Sequence, residues 1–168
     1  MYRKTQNKRE LGRFRHNVEV SLEYARFARE DEQTGLLLRN AGKYRQSMYF
    51  TLQAMEKYVR AKVFSMLDAK NPYFRQEHRD HALKEAVEAL IKVFSGDERL
   101  RNQVIQQIND YVLGDTKYEY LHNDLRYPKY SPKFNSYSCL DVTETDCELL
   151  LNKLDSLKKY LDGLDRLR

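Results

Sequence analysis

The chain has 168 residues, of which 41% are hydrophobic and 12% aromatic, so its composition excludes an intrinsically disordered protein. That length favours one domain, or one domain plus an extension, and it is sufficient for a substantial core. Only six glycines and three prolines occur, which favours long regular elements, and the charged fraction of 33% is typical of helices with solvated faces.

The net charge of +5 is concentrated at the N-terminus. Residues 1–16 hold six of the 30 basic residues and one of the 25 acidic residues, which leaves 24 of each in the rest of the chain. Residues 1–14 are therefore predicted to form a basic arm, and the charge does not indicate a broad basic face. Such an arm either contacts phosphates or is a solvated terminus.

The two cysteines, Cys139 and Cys147, form no paired-cysteine metal motif and are predicted to be packing residues. No secretory leader is evident, and no apolar run approaches the ~18 residues that cross a membrane. The sequence also has no glycine-rich phosphate loop and no Ser or Cys nucleophile motif. We therefore expect a cytoplasmic protein that does not enter a membrane and that holds neither a metal nor another cofactor.

Helical periodicity dominates the first half of the chain. A first helix is predicted to end before Gly42, with Gly35 as a weak point. Its apolar stripe consists of Phe14, Val18, Leu22, Ala25 and Ala28. A second helix, over about residues 43–68, has the clearest stripe of the chain. That stripe consists of Tyr44, Met48, Leu52, Met55, Val59, Val63 and Met66.

Two shorter helices follow. Asp80 is predicted to cap the third helix, which Ser95 and Gly96 end, and Asp97 is predicted to cap the fourth, which ends before Gly114. The inward residues of the third helix are Leu83, Val87, Leu90 and Phe94. Those of the fourth helix are Leu100, Val104, Ile108 and Tyr111.

The last helix begins after a capping-box-like sequence, Thr143-Glu-Thr-Asp146, in which Asp replaces the usual Glu. A regular three-four repeat of apolar residues follows. It consists of Cys147, Leu150, Leu154, Leu157, Leu161 and Leu164. This stripe predicts a core-facing helix, and its regularity also fits a helix–helix seam between two chains.

The connection between Gly114 and Val142 is unusual because roughly 28 residues lack helical periodicity, whereas links in helical bundles are usually ~2–8 residues long. Five of the 13 tyrosines fall in it, which is too aromatic for a disordered tether. We therefore predict a long ordered loop before the last helix. Because no segment shows sustained strand alternation, the predicted fold class is all-α, a helical bundle of about five helices.

Three short sequences occur in an informative order along this bundle. The second helix is entered through Gly42 and Tyr44 and continues with the run 53–61, in which Gln53, Ala54, Glu56, Lys57, Arg60 and Ala61 are the matching residues. His81-Ala-Leu83 then opens the third helix, and Arg126-Tyr127-Pro128 precedes the last one. Over about residues 15–165 this order resembles the HEPN (higher eukaryotes and prokaryotes nucleotide-binding) domain family.

The resemblance implies a single HEPN-like domain over residues 15–168, with an up-and-down four-helix core. HEPN domains usually dimerise, and the surplus apolar residues Leu36, Leu37 and Leu38 add to the prediction of a homodimer. Some HEPN domains act with a minimal nucleotidyltransferase in toxin–antitoxin-like pairs. Others are metal-independent ribonucleases that carry an Arg followed a few residues later by a His. Glu56 and Lys57 are expected to form an exposed charged pair.

Three residues are candidates for catalysis: Arg75, His81 and His122. Metal-independent RNA cleavage needs a base for the 2′-hydroxyl and a cation for the charged phosphorane. Arg75 and His81 have the nuclease order, whereas His122 precedes Arg126. The alternative is that the Arg75 side chain is solvated and that His81 caps a helix or lies at the edge of the core.

The stretch around Arg126 is the candidate binding site. Tyr127 and Tyr130 can stack on a base while Arg126 and Lys129 meet phosphate, with Asp124 beside them. The alternative is a polar turn in which Asp124 pairs with Arg126. The leading hypothesis is a protein that binds nucleotide or RNA and acts with a partner in a prokaryotic toxin–antitoxin or defence setting. The alternatives are an endoribonuclease and a non-catalytic interaction module built on the leucine stripe.

Overall fold

The computed structural model describes residues 12–68, 70, 83–94, 97–114, 116 and 118–164. These residues form six α-helices and one β-hairpin, which confirms the predicted all-α helical class and adds a hairpin that the sequence did not predict. The elements are α1 (Val20–Asn40), α2 (Tyr44–Met66), α3 (Leu83–Phe94), α4 (Glu98–Ile108), α5 (Tyr118–Asp124), β1 (Lys129–Ser131), β2 (Ser136–Ser138) and α6 (Glu144–Leu164). None of the described helices has the length and apolar character needed to cross a membrane.

Helix α2 is the centre of the bundle, and α1, α3 and α6 pack against it. Its predicted stripe is confirmed: five of its members are buried, while Tyr44 and Met66 are partly buried against the core. All six apolar residues of the α6 stripe are buried too. The leucine stripe is therefore core within one chain, and it is not available as a seam for a partner.

Helices α1 and α2 are joined by a tight turn at Gly42, whose φ of 69° is one that glycine adopts without strain. The Lys43 N–H donates to the Leu38 carbonyl at 2.8 Å, and the Gly42 N–H donates to the Arg39 carbonyl at 3.0 Å. This pair of bonds is the Schellman motif that ends many helices. The predicted end of the first helix is confirmed.

Gly35 does not interrupt α1, although the sequence suggested a weak point there. It is buried where α1 and α2 approach each other, and its carbonyl accepts a hydrogen bond from Ser47 Oγ at 2.7 Å. Ser47 Oγ also lies 3.1 Å from the buried Sγ of Cys147 on α6. Thr51 Oγ1 donates to the Ser47 carbonyl at 2.8 Å. The glycine therefore serves close helix packing.

The start of α1 differs from its prediction. The helix begins at Val20 after the N-cap Glu19, whose carboxylate accepts from the Ser21 N–H at 3.3 Å. Phe14 is 86% exposed and Leu22 66% exposed, so these apolar residues do not belong to a core stripe. Residues 1–11 of the predicted basic arm lie outside the described residues.

Helix α4 ends in an unpredicted π-helical turn, Asn109–Leu113. Its capping by Asp97 is confirmed, because the carboxylate accepts from the Arg99 N–H at 2.8 Å. The wider turn is closed by the Gly114 N–H, which donates to the Asn109 carbonyl at 2.7 Å. Lys153 of α6 donates to the Leu113 carbonyl at 2.9 Å and so satisfies an acceptor at this helix end.

The remaining predictions, on the two short helices and the two cysteines, have different outcomes. Leu100 is 36% exposed, so it is not an inward residue of α4. Cys139 is exposed, whereas Cys147 is buried as predicted. The proposed cap Asp80, the stop at residues 95–96, and the side chains of Phe94 and Tyr111 lie outside the described residues.

We predict that Gly35→Ala destabilises the protein. A Cβ at this position would lie 2.9 Å from Thr51 Oγ1 and 3.4 Å from the Ser47 carbonyl. The overpacking should cost about 1–3 kcal/mol, which outweighs the helix-propensity gain of at most about 1 kcal/mol. Gly163→Ala on α6 is the matched control, because no atom lies within 4 Å of its added Cβ. Urea unfolding should show a gain of about 0.5–1 kcal/mol for the control. Equal stabilities of the two variants would contradict the packing argument.

We also predict that Thr143→Ala lowers stability by about 1 kcal/mol in urea unfolding at neutral pH. Asp146 Oδ2 accepts from the Thr143 N–H at 2.9 Å, and Thr143 Oγ1 accepts from the Asp146 N–H at 3.3 Å, which confirms the predicted capping box. The Thr143 hydroxyl and N–H lower the pKa of Asp146 from its ordinary value of 3.8. This contribution is therefore complete above pH 3.8 and is lost as the pH falls through the lower folded-state pKa. Stability of the wild type should fall more steeply with acid than that of the variant, and identical slopes would refute the assignment.

Candidate functional site

The predicted loop contains a short helix, α5, that is fixed to the centre of the bundle. Leu125 follows α5 directly and is buried, with 2% of its surface exposed. Arg45 of α2 donates from Nη1 to the Leu125 carbonyl at 2.6 Å. The N–H groups of Arg126 and Tyr127 both donate to the Asn123 carbonyl at 2.9 Å, so the chain turns sharply here. Residues 126 and 127 are thereby presented at the surface from a fixed base.

His122 links α5 to α2 and to Arg126. Its Nδ1 lies 2.9 Å from the side-chain amide of Gln53, and its Nε2 lies 3.2 Å from Arg126 Nη1. The imidazole ring also packs against Tyr49, with 5.5 Å between the ring centroids. The Arg126 guanidinium carbon lies 4.8 Å from the centre of the Tyr127 ring and 5.8 Å from that of Tyr49. These five side chains form one cluster at the junction of α2 and α5.

A β-hairpin continues from this cluster, and its turn explains why it forms. The Phe134 N–H donates to the Ser131 carbonyl at 3.1 Å, which places Pro132 where its fixed φ favours the turn. Asn135 adopts a φ of 46°, a conformation that asparagine tolerates better than most residues. Its side-chain oxygen accepts from the Tyr130 hydroxyl at 2.6 Å.

The two strands present aromatic residues across from each other. Tyr130 and Tyr137 are paired in the antiparallel register, and their rings meet edge to face at 5.6 Å. Tyr137 is 73% exposed and Phe134, in the turn, is 66% exposed. Exposed large rings on a short hairpin contribute little to a core, and their faces are accessible at the surface.

Cations lie over the rings throughout this region. Lys129 Nζ is 4.9 Å from the Tyr120 ring centre, and Lys133 Nζ is 5.3 Å from that of Phe134. We use the name hairpin surface for the exposed cationic and aromatic residues of this segment. It consists of Tyr120, Arg126, Tyr127, Lys129, Tyr130, Lys133, Phe134 and Tyr137.

The structure leaves four of the predicted binding residues exposed, and they follow one another along the segment from α5 into β1: Arg126, Tyr127, Lys129 and Tyr130. The carboxylate of Asp124, the fifth, lies 3.8 Å from Lys129 Nζ. The predicted alternative, an Asp124–Arg126 pair, is wrong because Arg126 turns instead toward the acceptor nitrogen of His122. The catalytic candidates Arg75 and His81 lie outside the described residues.

A second polar feature was predicted wrongly. Glu56 is not an exposed partner of Lys57: it is 6% exposed and lies 2.9 Å from Nε of Arg60, which is 4% exposed. Lys57 pairs with Asp31 of α1. The spacing of four residues between Glu56 and Arg60 was the available signal, since it places opposite charges on one helix face.

Sequence reasoning also missed part of the site. In the sequence, Tyr49 is an ordinary position of the second helix, and Gln53 is notable only for the family resemblance. Only the packing of α5 reveals their contact with His122. Lys133 and Phe134 could have been found from the turn sequence Ser131–Asn135, which combines proline with an asparagine suited to positive φ.

A mostly apolar cleft of about 300 Å³ lies between α5 and the start of α6. Three of its polar residues have other contacts: Asp146 caps α6, Lys153 donates to carbonyls of the π-helical turn, and Asp141 accepts from the Val142 N–H. The described residues contain no group of three His, Cys, Asp or Glu side chains that could hold a metal ion. The groups suited to anions and to planar rings are therefore on the hairpin surface rather than in the cleft.

Comparison of the chain with family models, with curated proteins and with solved structures gives no significant match.

Proposed function

We propose that this chain binds RNA or a nucleotide through the hairpin surface, as a HEPN-like domain protein. The observation that carries the proposal is the pairing of exposed rings with cations along α5 and the hairpin. Tyr127 is 56% exposed beside Arg126, and Tyr120 is 55% exposed beside Lys129. A base needs a ring face and a phosphate needs a cation, so each pair offers both partners of a nucleotide.

The energetics of the surface support this use. Stacking of a base on an aromatic side chain contributes about 1–3 kcal/mol, and it does not depend strongly on the base. The Lys129–Asp124 pair lies at 3.8 Å, with the Lys129 side chain 64% exposed, so its separation costs little. Lys129 can therefore exchange its present contact with Asp124 for phosphate at a small penalty.

The family part of the proposal is supported by the sequence resemblance around the second helix and residues 126–128. It extends to a partner, such as a minimal nucleotidyltransferase, in a prokaryotic toxin–antitoxin or defence setting. An adjacent nucleotidyltransferase gene and co-purification of its product with this chain are the expected observations. Purification of both products as separate species from a joint expression would count against that partner.

A homodimer remains part of the same proposal. Leu36 and Leu37 of α1 are 44% and 70% exposed, and such apolar exposure supports a contact between two chains. Light scattering should then give about twice the chain mass of 20.2 kDa. A particle of 20.2 kDa that does not change on concentration would rule the dimer out.

An endoribonuclease is the second candidate, and one observation favours it: His122 Nε2 and Arg126 Nη1 are 3.2 Å apart. A base and a cation at this distance could act on one phosphate. Cleavage would require His122 to exchange its contact with Arg126 for a ribose hydroxyl. Metal-independent cleavage of RNA in the presence of EDTA, abolished by His122→Ala, would establish this activity in place of simple binding.

We predict that Arg126→Ala weakens binding without unfolding the protein. The probe is a labelled single-stranded RNA of about 20 nucleotides, longer than the roughly 4–16 that a small single-strand-binding domain covers. Fluorescence anisotropy should show a rise in Kd of about 3–10-fold, equivalent to about 1 kcal/mol. The slope of log K against log salt should fall by about 0.7, the value for one phosphate contact on a single strand.

Arg29→Ala is the matched control, because it removes the same charge from an exposed position of α1. It should leave both the Kd and the salt slope unchanged, and neither variant should shift the melting temperature by more than about 2 °C. ATP in place of RNA separates nucleotide binding from RNA binding. If wild type binds neither ligand, the proposal fails. Equal losses for both variants would indicate non-specific attraction by net charge.

We further predict that Tyr127→Ala weakens RNA binding by about 1–3 kcal/mol, whereas Tyr127→Phe keeps most of the affinity. The ring of Tyr127 is 56% exposed beside Arg126, and stacking requires the ring but not its hydroxyl. The same anisotropy titration measures both variants. Equal affinity of the alanine variant and wild type would show that no base stacks at this position.

A further inference from the structure

We infer that His122 is a positioning residue of the interface: it holds the Arg126 guanidinium in place for an anionic phosphate group and is itself held by Gln53 of α2. This inference rests on the proposed function and adds a residue that does not have to touch the ligand. The inference is based on two consecutive contacts of the imidazole, which link Gln53 to Arg126 in a chain. Its Nδ1 lies 2.9 Å from the Gln53 amide, and its Nε2 lies 3.2 Å from Arg126 Nη1.

The donor and acceptor roles in this chain follow from the chemistry of the groups. A guanidinium has only N–H donors, so His122 Nε2 must be the acceptor toward Arg126. In the neutral ring the proton then lies on Nδ1, which becomes a donor. The atom 2.9 Å from Nδ1 is the Gln53 amide nitrogen Nε2, so the amide supplies the acceptor after a half-turn that brings its oxygen to the ring. One tautomer thus satisfies both contacts.

The base of this chain is rigid, whereas its end is exposed. Gln53 lies within α2, and the imidazole packs against Tyr49 of the same helix at 5.5 Å. The turn after α5 is fixed by the Arg45 bond to the Leu125 carbonyl at 2.6 Å. Arg126 is exposed beyond that turn, where an arginine would otherwise sample many rotamers.

Holding such a side chain in one orientation lowers the entropy that ligand binding must remove. The contact with His122 occupies one nitrogen, Nη1, and it is the only hydrogen bond that the guanidinium makes to the described residues. The other donors of the fork are therefore available to an anion, while the plane of the group stays near the Tyr127 ring. This arrangement presents a phosphate-binding group and a base-stacking group side by side.

A double-mutant cycle tests whether His122 acts through Arg126. His122→Phe keeps a planar ring against Tyr49 but removes both nitrogens, and it should raise the Kd for the single-stranded RNA by about 3–10-fold, as Arg126→Ala does. The double variant should bind no more weakly than Arg126→Ala alone, because both substitutions remove the same contribution of Arg126 to RNA binding. His122→Gln, whose amide can still accept from Arg126, should stay within about twofold of wild type.

Gln53→Leu provides a second route if His122→Phe does not fold. It leaves His122 intact, removes the partner of Nδ1, and should weaken binding in the same direction and with the same lack of additivity toward Arg126→Ala. The inference is overturned if the single losses multiply in the double variant. An unchanged Kd in both His122→Phe and Gln53→Leu overturns it equally.

A ligand-independent measurement separates this inference from the proposed function. In NMR spectra, the Arg126 Nε–Hε group should be ordered in the wild type and mobile in His122→Phe, with Arg126→Ala used to assign the signal. If wild type binds no RNA or ATP but this difference is seen, the proposed function fails while the positioning stands. If wild type binds RNA and the group is equally mobile in both proteins, the positioning is refuted and the binding function stands.

Discussion

The burial of α2 between α1, α3 and α6 is the constraint on which the rest of the structure depends. Its apolar face supplies the middle of the core, and two of its charged residues are enclosed as well, since Glu56 and Arg60 pair at 2.9 Å with little exposure. A buried ion pair of this kind is retained only when both charges are satisfied together. The close approach of α1 at Gly35 completes this arrangement. Helix α2 consequently holds the elements that pack against it in fixed positions.

The segment between α4 and α6 is positioned by side chains of α2. Arg45, Tyr49 and Gln53 all project from α2 toward α5, and they fix the turn that presents Arg126. The hairpin that follows depends on its own turn and on the Tyr130–Tyr137 pair. A short two-stranded hairpin is only marginally stable by itself. Its attachment to a fixed α5 explains how large rings are held at the surface instead of collapsing into the core.

A buried helix that supports an exposed aromatic and cationic segment is suited to a ligand that is bound along a surface. The apolar cleft beside α5 has its polar groups engaged in capping and in helix ends, whereas the hairpin surface offers ring faces and cations with weak existing partners. A flexible polyanion with planar bases can use several such pairs in succession. The proposed binding function and the proposed role of His122 both follow from the same feature, a rigid helix that supports an exposed, polar and aromatic edge.

The sequence by itself determined the helices whose signals are local: the α2 stripe, the six-residue stripe of α6, the Thr143–Asp146 cap and the Gly42 turn. Periodicity and capping act within a few residues, so one sequence suffices to find them. It also indicated Arg126 and Tyr127 as surface candidates. Only the tertiary structure decided that Glu56 is buried and that Gly35 lies at the contact between α1 and α2. It also decided that Gln53 contacts His122, which in turn contacts Arg126. These outcomes depend on which distant element packs against each position. The four-residue spacing of Glu56 and Arg60 indicates that they can pair, but it does not record that the pair is buried.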